Sequence, residues 1–97
     1  MPAYIVVTRE KTRDQSQIEQ YKKLAPGSFK NHPVVFHARG GRQECLEGPA
    51  FEQVLILEFP TYEAAKAWYN SDEYQSASKH RFQGGDYRII LTEGIAP

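Results

Sequence analysis

Apolar and polar positions alternate at both ends of the chain and in its middle. Residues 3–9, "AYIVVTR", are β-branched and aromatic, which suits a half-buried pleated strand. Residues 53–59, "QVLILEF", and the late run "DYRIILTEG" carry the same two-residue period. Between them the period changes. Ile18, Tyr21, Leu24, Ala25 and Phe29 form one stripe at helical spacing, opened by Asp14 as N-cap and Gln17 as the second half of a capping box. Pro26 has no N–H to donate, so the spacing predicts one helix to about Leu24 and a short continuation to Asn31.

The stretch "VVFHARGGRQECLEG", residues 34–48, predicts the second strand, with the turn "EGPAFE" behind it. Its glycine pair Gly40-Gly41 reads as a β-bulge inside the strand, which would let Arg39 and Arg42 face the same way despite their odd spacing. Cys45 is then a half-buried strand residue. "PTYEAAKAWYN" predicts a helix capped by Thr61, with Ala65, Trp68 and Tyr69 facing inward. Ser71 caps a further segment with Tyr74, Ala77 and Arg81 or Phe82 on one face, ended by Gly84-Gly85.

The order β-α-β-β-α-β, with its second helix broken, predicts one α+β domain over residues 1–97. Its expected form is a ferredoxin-like four-stranded antiparallel sheet with the helices on one face. Strand parity then divides the side chains. Ile5, Val7, Phe36, Ala38, Leu55, Leu57, Phe59, Tyr87, Ile89 and Leu91 make an apolar face for the helices. Tyr4, Val6, Thr8, Val35, His37, Arg39, Val54, Ile56, Glu58, Arg88, Ile90 and Thr92 make a mixed one. That second face is too apolar for water, and its expected cover is a second copy: a homodimer whose two sheets enclose a partly polar cavity.

Composition narrows the partners. Twelve acidic and twelve basic residues balance, so no basic stripe favours nucleic acid. No run approaches the ~20 apolar residues of a membrane span. The start of the chain lacks a basic signal-peptide region, and the single cysteine excludes an internal disulfide, so the expected location is the cytoplasm. His32, His37 and His80 lack any metal-ligand spacing, and "RGGR" lacks the G-K-[ST] ending of a phosphate loop. Neither a metal nor a cofactor is expected.

Glu58 in an enclosed cavity needs a partner, because an unpaired buried carboxylate is costly. His37, Arg39, Arg42 and Arg88 are the candidates, with Arg39 or Arg42 reaching it from the adjoining second strand. Trp68 is expected in the core; Tyr69 and Tyr74 could border the cavity mouth, since buried phenols need partners.

The fragments "YKKLAP", "ARGG" followed by "LEG", "LEFPTYEAAKAWYNSDEYQ" and "IILTEG" resemble the Domain of Unknown Function 1330 family, from about Ala3 to Gly94. The resemblance implies a dimeric α/β-barrel, the superfamily of cofactor-free antibiotic-biosynthesis monooxygenases, haem-degrading enzymes and muconolactone isomerase. It implies no established activity. His32 matches a family position, but Pro33-Val34 follow it where glycines are usual.

Two functions follow. One is a module that binds a small anionic or aromatic molecule between the sheets, with Tyr4, His32, His37, Arg39, Arg42, Glu58, Tyr69, Tyr74 and Arg88 as candidate contacts. The other is a cofactor-independent enzyme of monooxygenase or isomerase type. There His37 is the acid/base candidate, Arg39 the anion holder and Glu58 the group that orients or accepts a proton.

Overall fold

The computed structural model describes residues 1–96. In chain order they form β1 (Ala3–Thr12), α1 (Gln15–Leu24), a 3-10 segment (Ala25–Phe29), β2 (Val35–Arg39), β3 (Gln53–Phe59), α2 (Tyr62–Tyr69), α3 (Asp72–Gly84) and β4 (Gly85–Glu93). The strands lie in the order β2-β3-β1-β4, and every neighbouring pair is antiparallel. This is the ferredoxin-like arrangement, with the helices on one face of the sheet.

The local signals explain most element starts. Asp14 accepts from the Ser16 N–H at 3.0 Å, Thr61 Oγ1 from Ala64 at 3.0 Å, and Ser71 Oγ from Tyr74 at 3.2 Å. The expected capping box at Asp14 is only half formed. Gln17 Oε1 lies 2.7 Å from His80 Nδ1 instead, and the Asp14 N–H donates to the Gly84 carbonyl at 3.0 Å. The start of α1 is thereby tied to the end of α3. Gly84 permits this approach, because a Cβ there would stand 2.7 Å from Ile18 Cδ1. Pro26 ends the α-helical pattern as expected, and the 3-10 continuation stops at Phe29.

Ala3, Ile5, Val7, Leu57, Phe59, Ala65, Trp68 and Tyr74 form the core. Trp68 lies flat against Phe29, with centroids 4.9 Å apart, and against Phe59 at 5.4 Å. Its indole N–H donates to Ser28 Oγ at 2.9 Å, and that hydroxyl donates onward to the Ala25 carbonyl at 2.5 Å. A buried serine thus fixes the orientation of the indole.

The second strand differs from expectation in its length and in the place of its fault. It ends at Arg39, and Gly40 follows with φ 76° in a turn. The bulge lies earlier, at His37: Phe36 pairs with Leu57 and Ala38 with Ile56, leaving His37 unpaired between them. Parity therefore resets after Phe36. Ala38 moves to the outer face, and Arg39, opposite Leu55, moves to the face under the helices. Residues 40–52 form an exposed connection rather than strand. Gln43 pins it, donating to the Glu52 carbonyl at 3.2 Å and accepting from the Val54 N–H at 3.0 Å. Cys45 is exposed in this connection, not half-buried in a strand.

Candidate functional site

The two faces of the sheet carry different chemistry. On the outer face, Ala38, Ile56, Val6 and Ile90 stand in register across all four strands as one apolar row. A polar group sits beside it. His37, displaced outward by the bulge, places Nε2 2.6 Å from Glu58 Oε1, and its ring lies 6.2 Å from that of Tyr4. Glu58 is paired in register with Tyr4, so three of the candidate residues are brought together. On the far side of the row, Arg88 is opposite Thr8. Arg39 and Arg42 do not reach Glu58: the first faces the helices and the second is exposed in the connection after β2.

Under the helices the structure opens a cavity of about 480 Å³. Its floor is Val7, Leu55, Leu57 and Phe36 of the sheet. Its roof is Tyr21, Ala25, Pro26 and Phe29, with Trp68 and Tyr87 as aromatic walls. Four polar side chains complete it: Arg9, Lys22, Arg39 and Gln53. No carboxylate lines it, so the cavity carries a net positive charge. Concave, mostly apolar spaces with a few convergent polar groups are the usual form of small-molecule sites.

The three cations are not equivalent. Arg9 is held by Glu52, Nε to Oε1 at 3.0 Å, and Glu52 also accepts from Thr12 Oγ1 at 2.5 Å. Those Thr12 hydrogen bonds, assisted by Arg9, hold the Glu52 carboxyl below the usual carboxylate value. Lys22 has only Glu19, at 3.9 Å. Arg39 has no acidic partner among the described residues and lies over the Phe36 ring at 4.6 Å.

Behind Tyr21 lies a buried polar cluster. The Tyr21 and Tyr74 hydroxyls are 2.9 Å apart. Burial pushes both phenols, and Tyr87, above the usual tyrosine value, while the Arg81 guanidinium opposes the shift. Arg81 is 4 % exposed, lies against the rings of Phe82 and Tyr87 at 4.3 and 5.3 Å, and has an Nε without a partner.

The other sequence candidates sit elsewhere. Tyr74 is fully buried and backs Tyr21 rather than bordering a mouth. Tyr69 lines a second cavity of about 440 Å³ with Ile5, Lys66, Asn70, Ile89 and Leu91. His32 follows the 3-10 segment, its backbone N–H donating to the Phe29 carbonyl at 2.9 Å, and stands outside both cavities. Arg9, Tyr21 and Tyr87 were missed as cavity residues. Parity puts Arg9 and Tyr87 on the inner face with Val7, so a charged residue ending an apolar set was the available signal. Tyr21 looked like an ordinary member of the helix stripe.

A family model described as a domain of unknown function, DUF1330, matches residues 2–95. The chain belongs to that family. No curated protein matches this DUF1330 chain. Among solved structures, it is similar to a protein of unknown function from Rhodopseudomonas palustris, with a TM-score of 0.75, 21 % identity, and coverage of 99 % of this chain and 84 % of that one. It is also similar to a dimeric ferredoxin-like protein of unknown function from Thermobifida fusca (TM-score 0.64, 12 % identity, 97 % and 92 % covered). A third is a candidate antibiotic biosynthesis monooxygenase from Nitrosomonas europaea (TM-score 0.58, 17 % identity, 99 % and 91 % covered). At these identities the likeness establishes the shared ferredoxin-like fold of the DUF1330 chain.

Proposed function

We propose that this DUF1330 protein binds a small amphipathic anion in the cavity between its sheet and α1, and that two copies pair through the outer sheet face as a dimeric α/β-barrel. The observation that carries the first part is a cavity with aromatic and aliphatic walls, three cations and no carboxylate. A planar apolar body would pack against Leu55, Leu57, Phe29 and Trp68. Its acidic group would take Arg39, the arginine whose charge no carboxylate neutralises. The ligand expected between two sheets is thus reassigned to the interior of each protomer. The outer apolar row, together with the dimeric description of similar folds, supports the second part.

The second reading, a cofactor-independent enzyme, draws support from the Tyr21–Tyr74 pair beside the cavity. His37 and Glu58 do not favour it for a ligand in this cavity. They lie on the opposite side of the sheet, so proton handling would fall to the phenols instead.

Trp68 is the chain's single tryptophan and forms one cavity wall, so it reports binding by its own fluorescence. 2-Naphthoate should quench it saturably. Arg39→Ala should weaken that binding by about tenfold, the scale of one lost hydrogen bond to a charged group. No quenching, or quenching indifferent to Arg39, would remove the proposal.

A further inference from the structure

We propose that Tyr21 is a specificity-determining hydrogen-bond donor to the bound molecule, and that Tyr74 is the positioning residue that leaves its proton to the cavity. The proposal rests on the reading of that cavity as a ligand site. It adds a requirement on the ligand: besides an acidic group, an acceptor oxygen such as a carbonyl, nitro or enolate oxygen.

The direction of one hydrogen bond decides the matter. A phenol carries one proton and can also accept, so of two facing phenols one donates to the other and the second keeps its proton for a further acceptor. The Tyr74 proton must find its acceptor inside the protein. Tyr74 is fully buried, and the Tyr21 oxygen 2.9 Å away is its hydroxyl partner. Reversing that bond would leave a donor orphaned in a dry interior, which folded proteins avoid. Tyr74 therefore donates to Tyr21, and the Tyr21 proton is left over. Tyr21 lines the cavity, and the cavity is where that proton can be used.

Chemistry on both sides favours this use. Burial holds both phenols above the ordinary tyrosine value, so the proton stays in place across the physiological range. Arg81 lies behind the pair with no carboxylate beside it among the described ion pairs, and its charge opposes part of that upward shift. A neutral donor held in a water-poor site stabilises negative charge developing on an acceptor oxygen. This holds equally for a binding protein and for an enzyme that forms an enolate or phenolate.

The experiment compares 6-acetyl-2-naphthoate with 6-ethyl-2-naphthoate by Trp68 quenching. Both keep the carboxylate for Arg39, and only the first has the acceptor. Wild-type protein should bind the acetyl compound about fivefold more tightly, the scale of one neutral hydrogen bond. Tyr21→Phe should bring that ratio to about one, with ethyl affinity within about twofold of wild type. Tyr74→Phe should give a ratio in between, a readout that mere loss of stability does not move. Equal wild-type affinities, or a ratio that survives Tyr21→Phe, would overturn the donor assignment and leave the site standing. Failure of wild-type protein to bind either compound would overturn both proposals.

Discussion

Ser28 is a small residue with a large dependant. Its hydroxyl is the acceptor for the only indole N–H in the protein, in a place 3 % exposed. Ser28→Ala should leave that donor unsatisfied and cost about 1–3 kcal/mol, the penalty for an orphaned buried polar group. Urea unfolding followed by tryptophan emission would measure it, and an unchanged midpoint would show that the indole finds another partner. Sequence reading placed Trp68 in the core but not what holds it. A serine forty positions away leaves no local signature of such a bond. Arg39 taught the reverse lesson. Its charge was legible in the sequence, while its face was not, because parity counted along β2 fails at an unseen extra residue.

Elements that begin at local caps were the readable ones. Asp14, Thr61 and Ser71 each bond to a backbone N–H two or three residues on, so the signal lies wholly within a short window. The connection after β2 was unreadable for the opposite reason. Its glycine pair resembled a bulge, yet the segment is held by Gln43 reaching Glu52 and Val54, and by Glu52 reaching β1. That last tie should respond to acid. The folded-state value of Glu52 lies below its ordinary 4.5. Its contribution is therefore present above pH 4.5 and lost as pH falls through the lower folded value. The Thr12 amide donates to this carboxylate, so its NMR shift should titrate with a midpoint below 4.5. In Glu52→Gln the titration should vanish, and a midpoint at or above 4.5 would contradict the hydrogen-bonding account.

The whole molecule is a slab 38 × 34 × 18 Å, one sheet and one helical layer thick. Ile90 is 45 % exposed and Val35 54 % on the uncovered side. If a second copy covers that side, Ile56→Lys should place a charge within the Val6–Ile56–Ile90 row and separate the pair. Light scattering at micromolar concentration should give a dimer for wild-type protein and a monomer for the variant. A monomeric wild type would end the barrel reading without touching the cavity inside each chain. The fold's order and its apolar inner face were legible at this scale because they rest on period and sequence order alone. The division of the site residues between two faces was not, since it turns on His37. That unpaired residue has a hereditary consequence. Deleting His37 would close the bulge and leave Phe36 opposite Leu57, Ala38 opposite Ile56 and Arg39 opposite Leu55 in unbroken alternation. Glu58 would lose its imidazole partner while Arg39 stayed over the cavity. One change in the length of this strand can therefore remove the outer contact and leave the inner pocket as it is.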